Sequence, residues 1–291
     1  MILGSETCRH VETRGGTIAA SVTGSGPPLL LLHGFPQTRA MWEPVIGFLA
    51  NTHTLVVPDL PGYGDSDAPA DVEAASKRAM AASLVEAMGT LGFDRFDLAG
   101  HDRGGRVAYR MALDHPAQVR RLAVLDILPT SDYWAKMDRS FALKIYHWAF
   151  LAQPPPLPET LIAGAPDFWL EWTLKSWTAS QSLDSFSADA MATYRRNFTD
   201  PVRLRAMCDD YRAGATVDLD HDLASRAANR RIDAPTLVLW GSSGIAQSAQ
   251  TPLDIWGEWC TDLRGEAIRS GHFLPEENPA QTGAALARFF D

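Results

Sequence analysis

Apolar runs of four to eight residues alternate with longer amphipathic stretches along the first part of the chain. Runs bounded by turn residues are typical of buried strands, whereas an apolar stripe at helical spacing indicates a helix. The strands predicted this way cover residues 15–24, 27–34, 53–59, 96–100 and 120–127. Helices are predicted between them at 39–50 and 71–92, and after residue 105. This order predicts a mostly parallel sheet with helices packed on it.

The pattern changes from about Pro129 to about Asn229, where the chain is rich in Trp, Tyr and Pro and has helical stretches without a convincing buried strand. Strand character returns at 234–241 and 264–271, with helices predicted at 252–260 and 279–290. We therefore expect one α/β core that is interrupted by an inserted helical cap. The boundaries that the pattern indicates are 1–129 and 230–291 for the core and 130–229 for the cap.

Composition narrows the possible partners. The 291 residues carry a formal net charge of −9 and no block of Lys or Arg, so nucleic acids and anionic membranes are poor partners. No apolar run is long enough to span a bilayer, and the start lacks the features of a signal peptide. Three widely spaced cysteines, Cys8, Cys208 and Cys260, match neither a disulfide framework nor a zinc site. A cytoplasmic location is the simplest expectation.

The segment Gly100–Gly105, with the sequence GHDRGG, carries the most specific chemistry. A nucleophile between small residues at a strand-to-helix corner is the nucleophile elbow typical of α/β-hydrolases. Asp102 occupies the central position, where serine is usual. Alkylated serine is an ether, which resists water, whereas alkylated aspartate is an ester, which water can hydrolyse. The motif thus indicates opening of a carbon–halogen bond or an epoxide, although a helix-capping aspartate is the alternative interpretation.

A base and an orienting acid should follow the nucleophile. His272 lies between the last predicted strand and the last helix, where this fold places its histidine. Asp126 ends a strand and is the candidate acid, because the usual place after residues 234–241 holds no carboxylate for many residues. A turn-forming aspartate is the alternative for Asp126. His101, which occupies the variable position of the elbow, is expected to be structural.

The pocket beside Asp102 is expected to bind an anion. The backbone amides of Phe35 and Arg103 should form an oxyanion hole, and His33 before Phe35 is expected to be a packing residue. Arg103 and Arg106 lie on one face of the helix that begins at the elbow, where positive side chains are disfavoured unless an anion is present. A guanidinium fork suits a carboxylate, which would present its α-carbon to Asp102. The alternative is that Arg106 points outward or pairs with a structural acid.

The segments 100–116, 147–158, 209–218 and 270–279 resemble the fluoroacetate (haloacetate) dehalogenases of the α/β-hydrolase fold. The resemblance covers nearly the whole chain, including the expected cap. It implies hydrolysis of fluoroacetate, and of chloroacetate and bromoacetate, to glycolate and halide through an ester on the aspartate. It also implies a homodimer that uses no metal or other cofactor. The residues implied are a triad, a carboxylate site and a halide site: Asp102, Asp126 and His272; Arg103 and Arg106; His147, Trp148 and Tyr211.

The halide site also agrees with simple chemistry, because an imidazole, an indole and a phenol offer three hydrogen-bond donors to a departing fluoride. Cap aromatics that merely pack against the core are the alternative. Trp177 is also expected to line the pocket. The sequence leaves the preferred halogen open.

Three other functions remain to be compared. An epoxide hydrolase would use the same aspartate and cap tyrosines such as Tyr146, Tyr194 and Tyr211, but would have no use for two arginines. A haloalkane dehalogenase would be expected to have an indole donor in place of Arg103. A non-catalytic receptor would not need an intact nucleophile, base and acid.

Overall fold

The computed structural model describes residues 8–244 and 251–291. The described residues form one eight-stranded sheet in the order β1-β2-β4-β3-β5-β6-β7-β8. The first two pairings, β1 with β2 and β2 with β4, are antiparallel, and all others are parallel. The strands are β1 (Cys8–Thr13), β2 (Gly16–Gly24), β3 (Pro28–Leu32), β4 (Thr54–Pro58), β5 (Phe96–His101), β6 (Val119–Leu125), β7 (Thr236–Gly241) and β8 (Leu263–Ile268).

Helices connect the parallel strands and cover the sheet. Those of the core are α1 (Glu43–Leu49), α2 (Lys77–Thr90), α3 (Asp102–Asp114), α12 (Pro252–Trp256), α13 (Leu274–Glu277) and α14 (Pro279–Phe290). A short 3-10 helix, Arg39–Trp42, precedes α1. Helix α2 packs against α3, and α1 packs against α14. The centre of the core is β3, where Leu29–Leu32 are buried because the strand lies between two others and under helices.

Eight helices follow β6 before β7 begins. They are α4 (Thr130–Ala135), α5 (Arg139–Lys144), α6 (Tyr146–Leu151), α7 (Leu157–Ala163), α8 (Pro166–Trp177), α9 (Ala188–Thr199), α10 (Pro201–Ala215) and α11 (Val217–Ala227). Helix α10 is central among them, since it packs on α6, α7, α9 and α11. The described helices of the whole chain include none with the length and apolar character of a bilayer-crossing segment.

The predicted mostly parallel sheet is confirmed, with differences at particular elements. Strand β1 was not predicted, because only Val11 of its six residues is buried and an exposed edge strand lacks an apolar run. The helix predicted at 71–92 begins at Lys77, where the Ser76 side chain accepts a hydrogen bond from the amide of Ala79 and caps the helix. The helix predicted at 252–260 ends at Trp256.

Candidate active site

The turn from β5 into α3 presents Asp102 in a strained conformation. Its φ of +45° lies in the left-handed region, which is unfavourable for a residue with a Cβ. The turn is possible only with glycines around it: a Cβ on Gly100 would lie 2.4 Å from the carbonyl oxygen of Gly104, and one on Gly104 would lie 2.3 Å from that of His33. The local sequence thus places a carboxylate, 7% exposed, at the carboxyl end of the sheet.

His272 lies in the segment between β8 and α13, beside Asp102. Its Nε2 atom is 3.8 Å from Oδ2 of Asp102 and has no hydrogen-bond partner among the described residues. Its Nδ1 atom is 2.6 Å from Oδ2 of Asp126. The backbone holds the ring in place, since the amide of His272 donates to the carbonyl oxygen of Trp177 at 2.9 Å. Nδ1 is therefore held by Asp126, and Nε2 faces the carboxylate of Asp102.

Asp126 directly follows β6 and connects two strands. Its amide donates to the carbonyl oxygen of Leu239 at 2.8 Å, and its Oδ1 accepts from the amide of Gly241 at 2.9 Å. Its φ is +51°, which turns the side chain out of the strand path. Asp126 is therefore held by β7 as well as by His272. Part of the segment after β7 in which the sequence offered no acid, residues 245–250, lies outside the described residues.

The charges of the site act on one another. Burial by itself would lower the pKa of His272, but the hydrogen bond and charge of Asp126, with the charge of Asp102, raise that pKa above its ordinary value. Burial would raise the pKa of Asp102, yet the charges of His272 and the arginines hold it below its ordinary value. Asp102 is consequently an ionised carboxylate at neutral pH.

The two oxygens of Asp102 have different surroundings. Oδ1 accepts a hydrogen bond from the amide of Phe35 at 2.9 Å, and Oδ2 is the oxygen nearest His272. Arg103 is the second residue of α3, so its amide is among those that have no partner inside the helix. The two predicted oxyanion-hole residues therefore lie at Asp102, and Phe35 donates a hydrogen bond to it.

Arg103 and Arg106 are both buried, but they differ in their partners. Arg103 donates from Nε to Oδ1 of Asp210 at 3.0 Å and from Nη2 to the carbonyl oxygen of Asp210 at 2.7 Å. Arg106 donates from Nη1 to the carbonyl oxygen of Leu128 at 3.0 Å and to the hydroxyl of Thr130 at 3.1 Å. These partners of Arg106 are neutral, and burial together with the charge of Arg103 lowers the pKa of Arg106.

Aromatic side chains from the inserted helices surround the arginines. The Arg103 guanidinium lies 4.2 Å from the ring centroid of Tyr211, and that of Arg106 lies 4.3 Å from the centroid of Trp148. The rings of His147 and Trp177 are 4.4 Å apart, and Trp177 in turn contacts His272 at 5.4 Å. The predicted halide-site residues therefore lie against Arg103, Arg106 and Trp177, and Trp177 connects this group to His272.

Several buried polar atoms of this cluster have no hydrogen-bond partner among the described residues. They are Nδ1 of His147, the hydroxyl of Tyr211, Nε2 of His272, Nη1 of Arg103 and Nε of Arg106. Buried polar groups are normally paired, so a concentration of unpaired ones around a nucleophile is typical of a ligand site. The cluster can bind a small anion that accepts several hydrogen bonds.

Comparison with known proteins agrees with this geometry. Residues 27–279 match the sequence model of the alpha/beta hydrolase fold. The chain belongs to the α/β-hydrolase fold family. It is similar to a fluoroacetate dehalogenase from Burkholderia sp, with 43% identity over 97% of this chain and 92% of the relative, so the resemblance noted from the sequence is confirmed.

Other α/β-hydrolases are also similar over the full length. A soluble epoxide hydrolase from Corynebacterium sp. (strain C12) is 34% identical over 99% of both chains. A solved structure from Nostoc sp PCC 7120, assigned as an alpha/beta hydrolase, superposes with a TM-score of 0.94 at 45% identity and covers 97% of each chain. Two reaction classes are therefore represented among the relatives, and the residues of the site must distinguish them.

Two further histidines of this α/β-hydrolase, His33 and His101, form hydrogen bonds with the backbone around the site. His33 accepts a hydrogen bond at Nε2 from the amide of Leu60 at 2.9 Å. His101 is 2.8 Å through Nε2 from the carbonyl oxygen of His272, and burial lowers its pKa to about 3. Both are neutral packing residues, as their positions in the sequence suggested.

The tyrosines that favoured an epoxide hydrolase differ in their surroundings. Tyr146 is 41% exposed, and the hydroxyl of Tyr194 donates to Glu276 at 2.8 Å. Only Tyr211 of these three joins the cluster around the arginines. Within the described residues, no group of three or more His, Cys, Asp or Glu side chains is arranged to hold a metal ion.

The sequence did not reveal the partners of Arg103. Asp210 lies 107 residues further along the chain and on a different helix, α10. Its only signal was its place beside Tyr211 in the segment 209–218. No local pattern predicts such a contact, because the insertion of the helices over the sheet creates it.

Proposed function

We propose that this protein is a haloacetate dehalogenase, which hydrolyses fluoroacetate, chloroacetate and bromoacetate to glycolate and halide. The observation that best supports this proposal concerns Arg106, a buried guanidinium beside Asp102 whose protein hydrogen-bond acceptors are neutral. A buried charge is costly unless it is paired. A substrate carboxylate would supply the missing anion. The fluoroacetate dehalogenase relative supports the same substrate class.

In the first step, Oδ2 of Asp102 attacks the α-carbon of the haloacetate in line with the halogen. The carbon–halogen bond breaks, the halide leaves with its electron pair, and Asp102 becomes a glycolyl ester. Arg103 and Arg106 hold the carboxylate so that the α-carbon faces Oδ2. Such positioning can replace a large entropic part of the barrier.

The departing halide needs donors in place of water. His147, Trp148 and Tyr211 are the proposed donors, and the unpaired Nδ1 of His147 and hydroxyl of Tyr211 support this assignment. Burial lowers the pKa of His147 to about 3, so the imidazole is neutral and can carry one N–H. Burial raises the pKa of Tyr211 well above its ordinary value, which keeps its hydroxyl proton.

In the second step, Nε2 of His272 takes a proton from water, which attacks the carbonyl carbon of the Asp102 ester. Negative charge develops on Oδ1, where the amide of Phe35 already donates and the amide of Arg103 would add a second hydrogen bond. Asp126 holds the His272 tautomer and stabilises its imidazolium. When the intermediate collapses, the bond between the Asp102 carbonyl carbon and the glycolyl oxygen breaks, and the His272 imidazolium gives its proton to that oxygen. Glycolate departs, and the regenerated Asp102 carboxyl group loses one proton to solvent.

The helices of residues 130–229 are, in this proposal, a cap that completes the pocket over the α/β core of 1–129 and 230–291. They contribute His147, Trp148, Trp177 and Tyr211 to the cluster around Asp102. The homodimer that the resemblance implies is a further part of the proposal, and sedimentation equilibrium of the purified protein tests it.

An epoxide hydrolase is the second candidate, because the relative from Corynebacterium sp. (strain C12) is similar over the whole chain. It would use Asp102 in the same way and need phenol donors for the opening ring. Tyr211 and Tyr133 lie against the two arginines, but Arg106, whose protein hydrogen-bond acceptors are neutral, would gain no anionic partner from a neutral epoxide.

Substrate turnover decides between the two. The purified protein is incubated separately with fluoroacetate, chloroacetate, bromoacetate and styrene oxide, and halide, glycolate and diol are measured. The proposal expects equal amounts of halide and glycolate from at least one haloacetate and no diol. Diol formation without halide release would instead establish the epoxide hydrolase.

A further inference from the structure

The two arginines beside Asp102 differ in a way that their shared helix face does not predict. The buried protein partner of Arg103 is a carboxylate, whereas those of Arg106 are a carbonyl and a hydroxyl. We infer that Asp210 is a positioning residue, which fixes one edge of the Arg103 guanidinium so that its remaining nitrogen, Nη1, binds the substrate carboxylate. This inference rests on the proposed function, since it assigns a carboxylate to the site.

Asp210 holds Arg103 along one edge of the guanidinium. Nε and Nη2 both donate to Asp210, and Nη1 is the nitrogen left without a partner among the described residues. The ring of Tyr211 lies against the guanidinium at 4.2 Å. A fork that is bonded along one edge and flanked by a ring cannot rotate freely, so the direction of Nη1 is set before a ligand arrives.

Asp210 is itself fixed by residues outside the proposed substrate site. The Tyr63 hydroxyl donates to its Oδ2 at 2.8 Å, and the Lys77 ammonium group donates to its Oδ1. Lys77 is also 3.4 Å from Oδ2 of Asp218, and its amide donates to Oδ1 of Asp218 at 2.8 Å. The cations around Asp210 hold its pKa below its ordinary value although burial acts in the opposite direction.

The charges of this cluster balance. Arg103 and Lys77 are cations and Asp210 and Asp218 are anions, so the four buried side chains sum to zero. Within the described part of the chain, Arg106 has no carboxylate hydrogen-bonded to it and attracts the substrate anion, whereas the charge of Arg103 is already balanced and this residue mainly orients the substrate. The two arginines therefore act differently: Arg106 attracts the substrate carboxylate, and Arg103 orients it.

A matched pair of substitutions separates the effect of Asp210 on the orientation of Arg103 from the effect of losing one negative charge. Asp210→Asn and Asp218→Asn each remove one negative charge from the same buried cluster and keep the shape of the side chain. Only Asp210 contacts Arg103, and both contact Lys77. The two variants have the same net charge, so a difference between them reports the hydrogen bonds that Asp210 makes, above all those to Arg103, and not the loss of one charge.

Two measurements are made on the wild-type protein and both variants. The first is kcat/KM for chloroacetate, normalised to active sites. The second is the Kd for acetate by isothermal titration calorimetry, which requires no reaction. If a substitution only causes part of the protein to misfold, the titration shows fewer acetate sites per chain. The folded molecules then still bind acetate with the wild-type Kd.

Asp210→Asn is expected to lower kcat/KM and to weaken acetate binding by about tenfold relative to Asp218→Asn, because a charged acceptor is replaced by a neutral one. Equal effects of the two substitutions on acetate binding would overturn the inference. Absence of acetate binding to the wild-type protein would overturn it too. If the wild-type protein binds acetate but does not release halide, the proposed function fails, and the ratio of acetate affinities alone decides the role of Asp210.

Tyr63→Phe keeps the test decisive if Asp210→Asn does not fold. It removes one neutral hydrogen bond to Asp210 and leaves every charge in place. Acetate binding is expected to weaken by about two- to fivefold. An unchanged Kd for acetate in a folded Tyr63→Phe protein would contradict the positioning role.

Discussion

The Nδ1 atom of His272 lies 2.6 Å from Oδ2 of Asp126, a residue 146 positions earlier in the chain. The contact spans the sheet from the end of β6 to the segment after β8. It commits Nδ1 to the carboxylate, which leaves Nε2 as the nitrogen that can exchange a proton near Asp102. The second step of the proposed reaction depends on this orientation, because there Nε2 must take a proton from water.

Replacing the base should separate the two steps. His272→Asn keeps Asp102, Arg103 and Arg106, so alkylation should proceed while hydrolysis of the ester stalls. Intact-mass spectrometry after incubation with chloroacetate should show one added carboxymethyl group per chain, and peptide mapping should place it on Asp102. Wild-type protein under the same conditions is the control and should carry little of the adduct. A His272→Asn protein that stays unmodified would argue against a covalent ester.

Arg106 should determine substrate affinity. Arg106→Met removes the charge and the fork, and loss of hydrogen bonds to a charged group costs about 1.5–3 kcal/mol, which corresponds to roughly a 10- to 150-fold rise in KM for chloroacetate. Arg106→Lys is the matched control and should recover part of the affinity, because it restores a charge without the bidentate geometry. Equal KM values for wild-type protein and Arg106→Met would show that the substrate carboxylate lies elsewhere.

The pKa of His272 should differ between the free enzyme and the ester intermediate. In the free enzyme, the charges of Asp126 and Asp102 raise the pKa of His272 above its ordinary value. Alkylation of Asp102 removes one of these charges, so the pKa of His272 should fall in the ester, where the neutral base is required. The acid limb of ester hydrolysis, measured by rapid quench, should therefore lie at lower pH than the His272 titration followed by NMR in the free enzyme.

Asp126→Asn provides the control for that comparison. It removes the negative charge beside Nδ1, so the pKa of His272 in the free variant should be lower than in the wild-type protein. Coincidence of the acid limb with the free-enzyme titration would mean that Asp102 carries its charge during hydrolysis, which an ester cannot do.

Glu276 should make the stability depend on pH. Burial raises its pKa from 4.5 to about 8, while Tyr194 and Gln37 donate hydrogen bonds to it. The native state thus keeps a proton that the unfolded state releases above pH 4.5, so this contribution to the unfolding free energy is lost as the pH rises toward 8, by at most about 1.4 kcal/mol per pH unit.

Glu276→Gln removes the titrating group and keeps the size of the side chain. Urea unfolding at several pH values should show the variant gaining stability relative to the wild-type protein between about pH 4.5 and 8, with a constant difference above that range. Stability profiles that run parallel over the whole range would contradict a protonated Glu276.

The sequence predicted the places of the proposed triad because local rules govern them. A strand, a glycine-bounded corner and a helix define Asp102, and strand ends define Asp126 and His272. In parallel sheets the carboxyl ends of the strands share one edge, so residues distant in sequence meet there. The measured contacts between these three side chains agree with that reasoning.

Other features depend on contacts that no local pattern encodes. Strand β1 forms through pairing with β2 and not through an apolar run of its own. The pairing of Arg103 with Asp210 arises because folding brings a residue of α10 to the start of α3, and the spacing of the two arginines on one helix face did not distinguish them. The exposure of Tyr146 and the hydrogen bond of Tyr194 to Glu276 likewise follow from how the inserted helices pack.

Oxygen labelling tests the central claim, an ester on Asp102 hydrolysed at its own carbonyl carbon. Enzyme in molar excess is mixed with chloroacetate in water enriched in ¹⁸O, and both glycolate and the peptide that contains Asp102 are analysed by mass spectrometry after a single turnover. If the ester is hydrolysed at the Asp102 carbonyl carbon, ¹⁸O should enter the Asp102 carboxylate and glycolate should be unlabelled. Labelled glycolate together with an unlabelled Asp102 would contradict it and establish direct attack of water on the substrate.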